Sequence, residues 1–325
     1  MKIMPLTQRG LSTNRLVLGC MPFGGGWNRD PITKEDILKA EKAVDTALAI
    51  GISMFDHADI YTMGKAEETF GHILKKKPAL REQAIIQSKC GIRQGEGSLP
   101  TRFDFSKEHI LGAVDGILSR LGTDYLDILL LHRPDPLVEP SEVAEALGKL
   151  KSSGKVRYFG VSNMSVAQIE FLQQAIPDQL AVNQLEMSLA RLDWLDQGVH
   201  VNQKAGVTVN FSEGLMEYCQ IKKIQIQAWG PLAQGRLTGR STQNEPENIQ
   251  KTAALIKQMA NIKETTPEAI SLGWLMKHPA LIQPVIGTAN PERIIACHDA
   301  ERQSQQMTRE EWYTLYSSAR GAAMP

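Results

Sequence analysis

Residues 125–163, "YLDILLLHRPDPLVEPSEVAEALGKLKSSGKVRYFGVSN", contain one complete strand–helix–strand unit. The apolar run at 125–132 predicts a buried strand, and "VRYFGVSN" at 156–163 predicts a second one. Between them, "PSEVAEALGKLKSSGK" has the spacing of an amphipathic helix that ends near a glycine. Such a unit implies a right-handed crossover between two parallel strands.

The same alternation runs along the whole chain. Six further strands are predicted at "LVLGC" 16–20, "SMFDHA" 53–58, "AIIQSKCG" 84–91, "AVNQLEM" 181–187, "IQIQAWG" 224–230 and "IQPVIG" 282–287. Helices are expected from an N-cap at Thr33 to Gly51 and from Ser106 to Gly122. Eight such units predict the α/β class, with a closed (β/α)8 TIM barrel as a single domain over 1–325. No GxGxxG follows the first strand, and "FGGG" at 23–26 lacks that spacing, which argues against a doubly wound dinucleotide fold.

The composition excludes several classes of partner. Lys plus Arg equals Asp plus Glu, at 36 each, so no general attraction to nucleic acid or to an anionic membrane is expected. The four cysteines form no CxxC pair, which favours a reducing compartment over a disulfide framework or a zinc site. No apolar run reaches membrane-spanning length, and the first residues lack the apolar core of a signal peptide. A cytoplasmic protein that acts on a small molecule is expected.

Polar residues stand where three of the predicted strands end. Asp56 ends the second strand and is followed by Tyr61, Lys89 ends the third strand, and His132 ends the fourth. In a TIM barrel the active site lies at the carboxyl ends of the strands, so these four side chains are expected to converge. Alternation along the strand places Asp56 on the same face as Met54 and His57 on the other face.

This group of four suits acid catalysis at a carbonyl. Asp56 would neutralise Lys89, and the Lys89 ammonium would reach the phenol of Tyr61 and lower its pKa, which makes Tyr61 a general acid near neutral pH. His132 would orient the substrate oxygen or share the proton. The chemistry that fits is proton delivery to a carbonyl that is being reduced.

Other interpretations of the same residues are open at this point. Lys89 could be a solvated residue at a strand end, or a Schiff-base lysine as in class I aldolases. Asp56, His57 and Asp59 could bind a metal, although the HxH spacing of many barrel hydrolases is absent. Trp229 could simply pack in the core.

The order of the motifs resembles the aldo-keto reductase family. "MFDHADIYTMGKAEETFG" at 54–71, "IIQSKCG", "DILLLHRPDP", "GVSN", "VNQLEMSL", "AWGPLAQGRL" and "PVIGTANPER" match family motifs over about residues 10 to 300. The resemblance implies a barrel that binds NADPH/NADP+ without a Rossmann domain, and no metal. It assigns the catalytic tetrad to Asp56, Tyr61, Lys89 and His132.

The resemblance also implies a cofactor site. Its residues would hold the nicotinamide carboxamide, stack on the ring, cover the pyrophosphate and bind the adenosine phosphate; they are Ser162, Asn163, Gln184, Trp229, Gly230, Leu232, Arg236, Gly287, Thr288 and Arg293. An arginine in the first turn of a helix favours NADPH over NADH. Gly230 stands where a serine is usual.

Other positions depart from the family pattern or are left open. Ala296 and Cys297 replace a usual Glu and Asn at the adenine. Trp27 and Trp194 lie in loops and would either line the substrate pocket or pack against the loops. An insertion over roughly 189–213 is expected to reshape the mouth of that pocket.

Two functions follow from this resemblance. The first is NADPH-dependent reduction of aldehydes or ketones to alcohols, with Tyr61 as general acid. The second is a slow or non-catalytic subunit that binds NADP(H) and senses redox state. The intact tetrad favours the first.

Overall fold

The computed structural model describes residues 3–11 and 14–325. Positions 1–2 and 12–13 of the single domain expected over 1–325 therefore lie outside the described residues. The strands in chain order are β1 (Val17–Gly19), β2 (Met54–Asp56), β3 (Ile85–Cys90), β4 (Ile92–Arg93), β5 (Arg102–Phe103), β6 (Leu126–Leu131), β7 (Val156–Ser162), β8 (Val182–Glu186), β9 (Gln225–Trp229) and β10 (Gln283–Ile286).

Eight of these strands close into a parallel barrel in chain order, and β10 pairs with β1 through Val17 and Val285. All eight strands predicted from the sequence are present, each within two residues of its expected bounds. The predicted (β/α)8 barrel is therefore confirmed. The antiparallel β4–β5 hairpin was not predicted, because its two-residue strands are too short to show a periodicity.

The helices surround the barrel. They are α1 (Pro5–Gln8), α2 (Lys34–Ala49), α3 (Lys65–Lys76), α4 (Leu80–Gln83), α5 (Lys107–Leu121), α6 (Pro140–Ser152), α7 (Val166–Gln173), α8 (Asp193–Val199), α9 (Leu215–Ile221), α10 (Glu247–Ile262), α11 (Pro267–Lys277), α12 (Pro291–Ala296), α13 (Ala300–Gln306) and α14 (Arg309–Arg320). Thr33 caps α2 with a complete capping box, and Ser106 caps α5, as expected. None of the helices in the described ranges is long and apolar enough to cross a membrane.

The core has two layers. The larger layer fills the space between the strands and the helices and includes Phe55. The smaller layer fills the inside of the barrel and includes Met54, Val17 and Ile128, with Leu6 from α1 packed against them. Met54 and Phe55 thus face opposite sides of β2, so Asp56 faces inward with Met54, as the alternation predicts.

The insertion near 189–213 packs against the C-terminal helix. Its helix α8 buries Trp194 against Trp274, with the ring centroids 5.7 Å apart. The Tyr316 hydroxyl of α14 donates a hydrogen bond to Asp196. Trp194 therefore packs α8 of the insertion against α11, which agrees with the packing role that was one of the two interpretations open for it.

Candidate active site

The loop after β2 holds Tyr61 in a fixed turn. Tyr61 opens a short 3-10 turn, Tyr61–Gly64, in which Thr62 and Met63 have positive φ angles of 48° and 63°. The Thr62 hydroxyl donates a 2.8 Å hydrogen bond to the carbonyl of Phe23 and so ties the turn to the loop after β1. Non-glycine residues rarely adopt this conformation, and it persists only where the surroundings enforce it.

Lys89 is the centre of the site. It is fully buried, and its Nζ donates to Asp56 Oδ2 at 2.7 Å, to the His57 carbonyl at 2.9 Å and to the Tyr61 hydroxyl oxygen at 3.0 Å. Burial alone would lower the pKa of Lys89, but the charges of Asp56 and Tyr61 and their hydrogen bonds together raise it. At neutral pH Lys89 is therefore an ammonium, unlike the neutral amine that a Schiff-base lysine needs.

The expected direction of the Tyr61 pKa is wrong. Burial raises this pKa above its ordinary value, and the Lys89 ammonium offsets only part of the rise. A charge at hydrogen-bonding distance favours the phenolate, but loss of water around a phenol enclosed in a barrel mouth disfavours it more. Tyr61 is consequently a neutral phenol throughout the physiological range.

His132 lies beside Tyr61, with the two rings edge to face and their centroids 6.0 Å apart. Burial lowers the pKa of His132 well below its ordinary value, and the cations Lys89 and Arg133 lower it further. At neutral pH the imidazole is therefore uncharged and carries a single N–H.

His57 and Asp59, the other two titratable residues after β2, pack behind the site. His57 is fully buried with its ring against Phe70 at 4.8 Å, and burial together with Lys89 lowers its pKa to about 3. The Asp59 backbone N–H donates to the Lys89 carbonyl at 3.0 Å. Burial and the neighbouring Glu67 raise the pKa of Asp59 to about 7.

A second group lies across the mouth, on β7, β8 and β9. Ser162 Oγ donates to the Gln184 backbone carbonyl at 2.9 Å, and Asn163 Nδ2 donates to Ser162 Oγ at 2.7 Å. The Trp229 indole N–H donates to Asn163 Oδ1 at 3.0 Å, which fixes the plane of the ring. Four of the residues expected at the nicotinamide are thus joined in one hydrogen-bonded cluster.

The residues expected at the pyrophosphate lie after β9. Gly230 has φ +62°, a conformation that a serine side chain rarely adopts, and this explains the glycine there. Leu232 packs against the core. Arg236 forms an ion pair with Glu245, with Nε 2.9 Å from Oε1, so this guanidinium is held by a carboxylate of the polar segment that follows.

The residues expected at the adenosine phosphate lie after β10. Gly287 and Thr288 follow the strand, and the exposed Arg293 lies in α12. The Asn290 side chain already accepts from the backbone N–H of Arg293, so the start of this helix is capped by the protein itself. At the end of α12, the buried Cys297 donates its thiol to the Arg293 carbonyl at 3.2 Å.

Trp27 is 50% exposed in the loop after β1, and its place in the substrate pocket stays a prediction. The sequence analysis missed one feature. Below Asp56 lies a set of buried glutamines that the motifs did not single out, namely Gln87, Gln227 and Gln283. The one available signal was their polarity at inward-facing positions of strands that are otherwise apolar.

Comparison with known proteins agrees with this architecture. The aldo/keto reductase family model matches residues 15–317. An uncharacterized oxidoreductase, YcsN, of Bacillus subtilis is 37% identical over 85% of this chain and 86% of its own length. A 6-dehydroglucose reductase of Agrobacterium fabrum is 34% identical over 96% of each chain. The crystal structure of a Klebsiella pneumoniae aldo/keto reductase with NADP and acetate shares the fold, with a TM-score of 0.75 at 23% identity, and covers 100% of this chain and 97% of its own.

Proposed function

The chain belongs to the aldo/keto reductase family, and we propose that it is an NADPH-dependent oxidoreductase that reduces aldehyde or ketone carbonyls to alcohols. The observation that carries the proposal is the buried Lys89 ammonium, 2.7 Å from Asp56 and 3.0 Å from the Tyr61 hydroxyl. Buried charged and polar side chains are costly unless they are paired. Here Lys89 is paired with the Asp56 carboxylate and with the Tyr61 hydroxyl, which suits proton transfer.

The residues at the mouth fit a nicotinamide. When bound, NADPH supplies the hydride for the carbonyl carbon. Trp229, with its N–H tied to Asn163, offers a flat apolar face on which an aromatic ring stacks. The Gln184 amide nitrogen is used by Asp56 and Gln227, so its carbonyl oxygen is left to accept from a carboxamide. For the phosphates we propose Gly230, Leu232, Arg236, Gly287, Thr288 and Arg293.

The proton comes from Tyr61. Its raised pKa keeps the phenol protonated and able to donate to the oxygen that becomes an alkoxide. Lys89 stabilises the phenolate that remains, and Asp56 holds Lys89 in place. The uncharged His132 offers one N–H to the substrate oxygen, which orients the carbonyl; with so low a pKa it cannot be the acid.

The test removes one hydroxyl. Tyr61→Phe is expected to lower turnover of a panel of aldehydes by about 10²- to 10⁴-fold, the usual contribution of a general acid, while NADPH binding by fluorescence titration is nearly unchanged. Tyr158→Phe is the matched control, since the Tyr158 hydroxyl bonds the Arg9 carbonyl away from this site. Full activity of Tyr61→Phe would contradict the mechanism.

The same panel separates the two functions. Wild-type protein is assayed with NADPH and NADH side by side, and NADPH is expected to support faster turnover. If every aldehyde and ketone gives a rate no higher than the control without substrate, while NADPH binds tightly, the protein is a redox sensor instead.

A further inference from the structure

Four buried glutamines form a chain inside the barrel, below the active site. Gln87 lies on β3, Gln184 on β8, Gln227 on β9 and Gln283 on β10, and each is at most 2% exposed. Barrel interiors are mostly filled with branched apolar side chains. A buried amide is costly unless its hydrogen bonds are made. The presence of four such amides in contact inside the barrel therefore needs a physical explanation.

The contacts join the floor of the barrel to the active site. Gln283 Nε2 donates to the Asn14 backbone carbonyl at 3.0 Å, and Gln227 Nε2 donates to Gln283 Oε1 at 3.1 Å. Gln227 Oε1 then accepts from Gln87 Nε2 at 2.9 Å and from Gln184 Nε2 at 3.0 Å. Both of these nitrogens also donate to Asp56 Oδ1, at 2.5 Å and 3.1 Å.

The hydrogen bonds of this glutamine chain run in one consistent direction. A backbone carbonyl can only accept, so Asn14 sets the amino group of Gln283 toward itself and the Gln283 oxygen toward Gln227. That oxygen fixes the amino group of Gln227, whose own oxygen then faces Gln87 and Gln184. A flip of the Gln87 or Gln184 side-chain amide would place its oxygen against the Asp56 carboxylate, which also can only accept.

We propose that Gln227 is a positioning residue for carbonyl reduction. Its Oε1 fixes the side-chain amides of Gln87 and Gln184, which both hold Asp56. It thereby also turns the side-chain oxygen of Gln184 toward the cofactor. This inference rests on the proposed function. It adds a residue that touches neither cofactor nor substrate but orients Gln184 at the cofactor site and, through Gln87, Asp56 of the proton-transfer group.

Gln227 acts along two branches. One runs through Gln87 to Asp56, then to Lys89 and Tyr61, and serves proton transfer. The other runs through Gln184 and serves the nicotinamide carboxamide. The branches predict different kinetic effects: loss of Gln87 slows turnover alone, whereas loss of Gln227 affects turnover and cofactor affinity together.

The main experiment compares two substitutions on the same strand. Gln227→Met preserves volume and removes the amide. Gln225→Met is the matched control, because Gln225 is equally buried on β9 but takes no part in the glutamine chain. Its side-chain amide donates instead to the backbone carbonyls of Leu281 at 2.8 Å and Ile226 at 3.0 Å. Thermal unfolding, kcat and the Kd for NADPH are measured for both.

Both variants are expected to lose thermal stability, but only Gln227→Met is expected to lose function. Two hydrogen bonds that orient the site are worth about tenfold or more, so kcat should fall and Kd should rise by about that factor in Gln227→Met. Gln225→Met should stay within about twofold of wild type in both. Equal kcat and Kd in the two variants would overturn the inference.

A second variant keeps the inference testable if Gln227→Met does not fold. Gln87→Met is expected to lower kcat about tenfold with an unchanged Kd for NADPH, since it removes the shorter of the two amide hydrogen bonds to Asp56 and leaves Gln184 in place. Wild-type kcat in that variant overturns the inference and leaves the reductase proposal intact. Wild-type protein that neither binds NADPH nor reduces carbonyls refutes the proposed function itself.

Discussion

His57→Leu should remove part of the protein's sensitivity to acid. The imidazole is fully buried against Phe70, and its pKa is lowered to about 3 by burial and by the Lys89 ammonium. In the unfolded chain the pKa of a histidine is about 6.5, so below that pH the unfolded state takes up a proton that the folded state refuses. The stability present above about pH 6.5 is therefore lost at up to ~1.4 kcal/mol per pH unit as the pH falls toward the folded pKa.

At about pH 5 this difference amounts to ~2 kcal/mol for one histidine. The free energy of unfolding is measured by urea titration, followed by tryptophan fluorescence, at about pH 7.5 and about pH 5. The drop between the two pH values should be ~2 kcal/mol smaller in His57→Leu than in wild type, while any packing cost of leucine cancels in the comparison. His72→Leu, at an exposed position on α3, is the control. An identical drop in wild type and His57→Leu would refute the reasoning.

Four further predictions follow from the local environments of single residues. Because the Tyr61 pKa is raised above its ordinary value, single-turnover carbonyl reduction should show no loss of rate from Tyr61 as the pH rises through neutrality, while oxidation of the product alcohol should accelerate with pH. Trp194→Ala should lower the free energy of unfolding by about 3–5 kcal/mol without a change in KM for aldehydes, since Trp194 packs on Trp274. Gly71→Ala should destabilise the protein in urea titrations, because a Cβ there would lie 2.3 Å from the Arg120 carbonyl oxygen of α5. In Gly148→Ala, which meets nothing within 4 Å, the same measurement should show a gain of about 0.5–1 kcal/mol.

The sequence was sufficient for the barrel because its signals are local. Each strand is a short apolar run, and caps such as Thr33 and Ser106 act within one turn of their own helix. The convergence of Asp56 and Lys89 was also predictable, since parallel strands bring their carboxyl ends to one edge. These inferences need only periodicity and topology.

The sequence could not show features that depend on several strands at once. The glutamine chain joins β3, β8, β9 and β10, and its members are up to 196 positions apart, between Gln87 and Gln283. The ion pair of Arg236 with Glu245 is closer in sequence, but nothing in a polar segment marks which carboxylate folds back. The sign of the Tyr61 pKa shift likewise depends on how completely the loops exclude water.

The sign of the Tyr61 pKa shift is compatible with the acid role that we propose for Tyr61. An alkoxide is a far stronger base than a phenolate, so the transfer of a proton from Tyr61 remains favourable even when burial has raised the pKa of the phenol. The same low dielectric that raises the pKa strengthens the attraction between Lys89 and the phenolate at the moment that charge forms. Because Lys89 is held by Asp56 at 2.7 Å, it would need no reorganisation when a proton leaves Tyr61 in the proposed mechanism. In the proposed mechanism, a neutral phenol at rest beside a fixed ammonium would therefore favour proton transfer to the substrate over release of a proton to solvent.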